Sequence, residues 1–228
     1  MPKDTRGGQN ANRIAKEEKK IMLEMWKVNP HYNDPNSRKK GYSNNCLKCV
    51  VAFEMQRRGI DAEAKAGFNR NTSYLQAFDF DNTDYNNFYS SSSRSATSHS
   101  EGKVFDYRTG KYKILNPNTL GSGSVNVANN IDKAMAKWGE GSRATLAVKW
   151  KGSSWGHVMN VERIGGKTVV YDAQSGKSYN IKSLEVLLRS TVTNHTQLIR
   201  LDNLPIKSGF DVNNNNIFTA TRRVKRNG

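Results

Sequence analysis

The chain has 228 residues, 36% of them hydrophobic, and a formal net charge of +16. This length suffices for one domain with a buried core, while the low apolar content predicts long polar loops or polar ends. The charge favours acidic partners, and two cysteines exclude a disulfide-rich scaffold.

The N-terminal part is predicted to be a basic segment followed by a helix. Residues 1–12 are rich in Gly, Asn and Lys, and we expect them to be disordered. From residue 13 to 28 the apolar positions recur at helical spacing, and Pro30 ends the helix. We therefore separate residues 1–27 from the domain that follows.

A second helix is predicted over residues 46–58. Cys46 and Cys49 begin one apolar face of this helix, which follows a polar loop rich in Asn, Ser and Lys. Asn44 or Asn45 can cap its start, because Asn is a preferred N-cap residue. The two cysteines are therefore expected one turn apart at the beginning of a helix.

The remainder of the chain changes from helical to strand periodicity. A low-complexity Asn/Ser/Tyr insert is predicted to be a loop, and it is followed by a third helix and then by alternating strands. The predicted elements are a strand at 60–64, the loop at 82–102, a helix at 125–138, strands at 144–150, 157–164 and 167–172, a helix at 184–189, a strand at 197–202 and a basic Asn-rich tail at 206–228. This order predicts an α+β fold with N-terminal helices packed on an antiparallel sheet.

His157 is predicted to lie opposite an acidic residue in a β-hairpin. The turn of this hairpin is Gly165-Gly166, a dipeptide typical of two-residue turns. Counting outward from the turn places position 157 opposite about position 174, so Asp172 and Gln174 are cross-strand neighbours of His157. An acid or amide there can hold the imidazole in one tautomer.

Cys46 is the stronger of two candidate nucleophiles. The free N–H groups and the dipole of a helix N-terminus favour a thiolate, and a histidine beside it completes an activated nucleophile. Cys46 lies nearer that terminus, whereas Cys49 lies one turn in and has the pattern of a core residue. The alternative, in which Cys49 is the nucleophile, stays open, because in some cysteine enzymes the second member of a Cys-x-x-Cys pair is the catalytic one.

Several motifs, in order, resemble the papain-fold toxin domain of the glutamine deamidase type, found at the C-termini of polymorphic toxins and in some phage head-associated proteins. The resemblance covers about residues 28–205. Its motifs are Asn29-Pro30-x-Tyr32, Asn45-Cys46-x-x-Cys49-Val50-Val51-Ala52 with Arg57-Arg58-Gly59, Gly156-His157-Val158-x-Asn160-Val161, Asp172-Ala173-Gln174-Ser175-Gly176 and Arg200-Leu201-Asp202-Asn203-Leu204.

The resemblance implies a papain-like fold over residues 28–205 and a cysteine enzyme that converts a protein glutamine to glutamate through a thioester. Cys46 would attack the carboxamide, His157 would carry the proton and Asp172 would orient His157. Further supporting positions are the following: Gln174 for orientation or the oxyanion, the Cys46 N–H with Asn44 or Asn45 for the oxyanion hole, Cys49 as a buried companion, and Trp155 as a wall of the site.

The same residues are compatible with activities other than deamidation. A protease or a transglutaminase would use the same three groups. The Cys-x-x-Cys pair could be a redox motif, but it does not follow a buried strand, and a zinc site would need two further ligands. Both cysteines could also be small core residues. A non-enzymatic basic protein that binds DNA, such as a phage head component, would account for the charge of +16.

The expected partners are a protein substrate carrying the target glutamine, an immunity protein and nucleic acid at the basic surface. We expect no cofactor and no metal. The polar N-terminus and the lack of a long apolar run predict neither signal peptide nor membrane span. We therefore expect a soluble protein, delivered into the cytoplasm of a target cell or carried in a phage particle.

Overall fold

The computed structural model describes residues 6–67, 77–79, 88–90, 103–106, 111–114 and 118–223. Within these ranges the chain forms helices α1 (Arg6–Val28), α2 (Ser37–Lys40), α3 (Cys46–Arg57), α4 (Ser124–Trp138) and α5 (Ile181–Leu188). The strands are β1 (Ile60–Ala64), β2 (Phe88–Ser90), β3 (Lys103–Asp106), β4 (Lys111–Ile114), β5 (Asn118–Thr119), β6 (Arg143–Lys149), β7 (Gly156–Ile164), β8 (Lys167–Asp172), β9 (Lys177–Asn180), β10 (Gln197–Arg200) and β11 (Phe218–Arg223).

One seven-stranded sheet organises the described part of the chain. Its strand order is β5-β2-β10-β6-β7-β8-β9, and two further strand pairs, β1 with β11 and β3 with β4, lie outside it. Each neighbouring pair in the large sheet is antiparallel except β2 with β5. The predicted α+β layout of helices and an antiparallel sheet is therefore confirmed.

Alternating residues of the central strands fill two hydrophobic cores. On β7, Val158 and Ile164 belong to the core that includes α1 and α3, whereas Met159 and Val161 belong to the core that includes α4 and α5. This alternation is what a strand buried on both faces requires, because successive side chains point to opposite sides. The sheet is thus covered by helices on both faces.

Helix α3 is tied to the sheet by buried polar contacts. Arg57 donates from Nε and Nη2 to the two carboxylate oxygens of Glu162 on β7, at 3.1 and 2.8 Å. Arg143 on β6 makes a second two-bond pair with Glu54, at 2.9 and 3.0 Å. These contacts fix the helix, and therefore its N-terminal residue Cys46, against strands that lie about a hundred residues further along the chain.

Both segments that we separated from the domain contribute to its core. Helix α1 begins at Arg6, within the segment expected to be disordered, and its residues Ile21 and Met25 are fully buried. At the other end, β11 lies in the expected tail but pairs with β1 in antiparallel register. Phe218 of β11 has an exposed fraction of 0%. Because the tail is polar overall, its composition did not predict this strand.

The Asn/Ser/Tyr insert also contains a strand that was not predicted. Within residues 82–102, Phe88–Ser90 form β2, which pairs with β10 in the large sheet. The rest of the predicted loop lies outside the described residues.

Replacing Phe218 by Ala is expected to destabilise the protein by about 3–5 kcal/mol, because loss of a fully buried phenyl ring would leave a cavity. Urea unfolding measures this change in the free energy of unfolding. Val186→Ala is the control, since Val186 on α5 is 60% exposed and its truncation should change stability by about 0.5 kcal/mol or less. Equal small effects for both variants would show that β11 is not part of the core.

Candidate active site

The β7–β8 hairpin brings a histidine and an aspartate together at one end of the sheet. Its register pairs Ile164 with Lys167 and Asn160 with Tyr171, as the Gly-Gly turn predicts. At the open end of the hairpin, His157 Nε2 lies 3.0 Å from Asp172 Oδ1. The imidazole therefore donates its Nε2–H to the carboxylate, which leaves Nδ1 as the second hydrogen-bonding atom of the ring.

Asp172 is held in turn by the loop that follows β8. Ser175 Oγ donates to Asp172 Oδ2 at 2.6 Å, and the backbone N–H of Gln174 donates to Oδ1 at 3.2 Å. Burial would raise the pKa of Asp172, but the hydrogen bond and charge of His157, together with the bonds from Ser175, outweigh burial and lower this pKa. The carboxylate therefore stays ionised beside the imidazole.

Cys46, the first residue of α3, is the thiol that meets the imidazole. Its side chain is partly exposed and forms a hydrogen bond with His157. Cys49 lies one turn further along and is 1% exposed in the core that includes α1 and α3. Burial, together with the neighbouring Cys46 and Asp172, raises the pKa of the Cys49 thiol well above its ordinary value. The two cysteines thus differ in exposure and in partner.

His157 lies between a sulfur and a carboxylate, and this position determines its charge. Burial alone would lower the pKa of His157, but hydrogen bonds and charge interactions with Asp172 and Cys46 overcome burial and raise it to about 10. The ring of Trp150 stacks on the imidazole, with centroids 6.2 Å apart and an angle of 20° between the planes. At neutral pH the imidazole is therefore a cation held between two groups that carry or develop negative charge.

Gln174 lies at the N-terminus of α3. Its carboxamide oxygen accepts from the backbone N–H groups of Asn45, Cys46 and Asn44, at 2.9, 3.0 and 3.2 Å, because the opposite amide orientation would face its NH₂ to these donors. Asp172 accepts the hydrogen bond from His157 Nε2. The contact of Gln174 with the helix N-terminus therefore differs from the predicted alternative in which Gln174 orients the imidazole. Gln174 supplies the acceptor that the free N–H groups of this helix end require.

Asn45 occupies the N-cap position of α3 without capping it. Its side chain makes no hydrogen bond to the first turn, and this corrects the expectation that Asn44 or Asn45 would cap the helix. The Asn45 carboxamide is buried and faces Asn29, with Nδ2–Oδ1 distances of 3.3 Å in both directions. Asn44 contributes its backbone N–H to Gln174.

Trp155 lies in the loop between β6 and β7, next to the residues that carry the imidazole. Its side chain is 57% exposed, and its carbonyl accepts from the N–H of Trp150 at 3.2 Å. An exposed aromatic surface two residues before His157 is compatible with the predicted wall of the site.

Three residues that contact the site were given no role in it from the sequence: Asn29, Trp150 and Ser175. Ser175 carried a usable signal, because an aspartate followed by a serine three residues later is typical of a turn in which the carboxylate caps its own loop. Asn29 begins the first motif of the family resemblance, but nothing in the sequence indicates its contact with Gln174, which lies 145 residues further along the chain. Trp150 carried no signal for its contact with His157, because that contact depends on loop geometry.

Metal-binding clusters and membrane spans are both absent from the part of the chain that the structure describes. No group of three or more His, Cys, Asp or Glu residues that could hold a metal ion occurs among the described residues. Of the helices in the same ranges, none is both long enough and apolar enough to cross a membrane.

A helix with a thiol at its N-terminus, packed on an antiparallel sheet that carries an imidazole and a carboxylate, is the arrangement of the papain fold. The family model for papain fold toxin 1, glutamine deamidase, matches residues 44–177, and the chain belongs to this family. The match includes Cys46, His157 and Asp172, and it confirms the family and the fold that the motifs indicated. A comparison with curated proteins finds no match.

Proposed function

We propose that this protein is a toxin enzyme that deamidates a glutamine side chain of a target protein. Cys46 is the nucleophile, His157 carries the proton, and Asp172 orients His157 and stabilises its positive charge. The observation that carries this proposal is the position of His157, hydrogen-bonded both to Cys46 and to Asp172 at the end of α3. Membership in a family described as glutamine deamidases supplies the reaction class.

In the first half of the reaction, the Cys46 sulfur attacks the carbon of the substrate carboxamide. A carbon–sulfur bond forms, and the carbonyl electron pair moves to oxygen to give a tetrahedral oxyanion. Collapse of this intermediate breaks the carbon–nitrogen bond. The imidazolium of His157 gives its proton to the departing nitrogen, so ammonia leaves as a neutral molecule and a thioester remains on Cys46.

In the second half, the now neutral His157 takes a proton from water, and the hydroxide attacks the thioester carbon. The carbon–sulfur bond breaks, and glutamate and the Cys46 thiolate are released, with His157 again protonated. The net change is one water consumed and one ammonia produced. The chain's own residues carry every proton in this cycle.

The N–H groups at the start of α3 are candidate donors to the oxyanion. In the resting protein the Cys46 N–H is bound to the carboxamide oxygen of Gln174 at 3.0 Å. A substrate oxyanion beside Cys46 would therefore share this donor with Gln174 or displace it.

The proposal is tested by incubating the protein with a glutamine-containing peptide and with a glutamine-rich acidic protein such as casein. Release of ammonia, with the mass gain of an amide-to-acid conversion at glutamine, is the expected result. Peptide cleavage or incorporation of an added amine would instead assign a protease or a transglutaminase. Absence of all three reactions in a folded sample would contradict the proposal.

The charge of +16 supports an acidic partner for the same enzyme. We propose that the target protein presents its glutamine on an acidic surface and that a neutralising immunity protein is acidic too. Binding to double-stranded DNA that weakens steeply with added salt, without any enzymatic activity, would favour a basic nucleic-acid-binding protein instead.

A further inference from the structure

Asn29 joins the two segments that carry the candidate active-site residues. It follows directly after α1 and is 6% exposed. Its Nδ2 donates to the carbonyl of Tyr42 at 2.9 Å and to the backbone carbonyl of Gln174 at 2.9 Å. Because one carboxamide nitrogen has two hydrogens, both are used on these two carbonyls.

The two carbonyls belong to the segments that precede Cys46 and follow Asp172. Tyr42 lies four residues before Cys46, and Gln174 lies two residues after Asp172. A side chain that donates to both sets the separation of the start of α3 from the end of β8. The sulfur and the carboxylate that hold His157 are attached to these two positions.

The contact continues into a cluster of three buried carboxamides, formed by Asn29, Asn45 and Gln174. Asn29 and Asn45 face each other, and Asn45 Nδ2 also lies 3.3 Å from the carbonyl of Lys65. The Gln174 carboxamide oxygen accepts from the backbone N–H groups of Asn45 and Cys46, at 2.9 and 3.0 Å. Buried amides of this kind are costly when one partner is removed, because the remaining groups lose their hydrogen bonds.

Asn29 lies outside residues 44–177, the part of the chain that matches the family model. The last turn of α1 makes a second contact with the same loop, since Trp26 Nε1 donates to the carbonyl of Gly176 at 3.4 Å. The N-terminal helix, which we had separated from the domain on composition, therefore ends against the loop that follows Asp172.

We infer that Asn29 is a positioning residue for the deamidation, which holds the Cys46 end of α3 and the Asp172 loop at the separation that lets His157 contact both. This inference rests on the proposed function. Asn29 acts through the backbone of these segments and does not touch the reacting atoms. Loss of alignment of about 1 Å in such a site lowers rates by about 100-fold.

Asn29→Leu, which keeps the approximate volume and removes both donors, is the test. We expect kcat for ammonia release from a glutamine peptide to fall about 10- to 100-fold with little change in KM. The rate at which iodoacetamide alkylates Cys46 at neutral pH, located by peptide mapping, should fall as well, because the Cys46 sulfur loses its hydrogen bond with an aligned imidazole. Asn130→Leu is the matched control. Its Nδ2 donates to the carbonyl of Leu120 at 3.2 Å on the α4 side, and both rates should stay at their wild-type values.

Asn29→Ser, which retains one donor, is measured in parallel so that a folding defect in the first variant does not remove the test. Urea unfolding shows which of the two variants is folded. If a folded variant keeps both the wild-type kcat and the wild-type alkylation rate, the inference is wrong. The alkylation rate needs no substrate. If the wild-type protein releases no ammonia but alkylation slows in the Asn29 variants, the proposed function fails and the positioning role stands.

Discussion

Replacing Cys46 by Ser should reduce ammonia release by about 10⁴-fold or more, because removal of a covalent nucleophile in hydrolases of this type costs about that factor or more. The hydroxyl of serine is a far weaker nucleophile than a thiolate paired with an imidazolium. The measurement is the rate of ammonia release from a glutamine peptide at saturating concentration, with the mass of the product as a second readout. Substrate KM should change much less than kcat.

Cys49→Ala is the control for the same experiment. Cys49 is buried one turn away, so we expect kcat to stay within about threefold of the wild type, with a loss of about 1 kcal/mol in the free energy of unfolding. The opposite pattern, in which Cys49→Ala inactivates and Cys46→Ser does not, would assign the nucleophile to the second cysteine and contradict the proposed mechanism.

The part of the site that follows local rules was predictable from the sequence. A Gly-Gly turn sets a hairpin register, and that register alone brings position 157 near positions 172 and 174. Likewise, an apolar face that begins at Cys46 after a polar loop predicts a helix start to within a residue. Both inferences use spacing along a single element or a single hairpin, where sequence distance determines spatial distance.

The contacts that join distant segments were not predictable. Gln174 accepts from the N-terminus of a helix that lies more than a hundred residues earlier, and the hairpin register that places Gln174 near His157 gives no sign of this contact. The Arg57–Glu162 pair spans 105 residues, and nothing in the sequence around either residue links the two charges. Such contacts depend on how α3 crosses the sheet, and the spacing along the chain carries no information on that crossing.

The strand β11 was missed for a different reason. Its neighbours are Asn-rich and basic, so composition averaged over the segment indicated a polar tail. The apolar residues scattered through this segment nevertheless pack on the core: Ile217 and Phe218 are buried, and Ile206, Phe210, Val212 and Ala220 lie against the same cluster. Composition averaged over a long segment is therefore a weak guide where a few scattered apolar residues pack that segment on the core.

Replacing Asp172 by Asn should lower kcat by about 100-fold or more and also move the alkaline limb of the pH profile to lower pH. In the wild type the pKa of His157 is raised to about 10, so the imidazolium persists through neutral pH and activity falls only as pH rises toward that value. The introduced carboxamide carries no negative charge to oppose the burial of the cation, so the imidazolium loses its proton at lower pH.

The measurement is kcat as a function of pH from neutral conditions upward, for the wild type and for Asp172→Asn. Asp132→Asn is the matched control. Asp132 is an aspartate on α4 that pairs with Arg163 at 2.7 Å and lies on the other face of the sheet. Its profile should coincide with that of the wild type. An alkaline limb that stays in place when Asp172 is neutralised would show that this carboxylate does not hold the charge of His157, and the triad would reduce to the cysteine and the histidine alone.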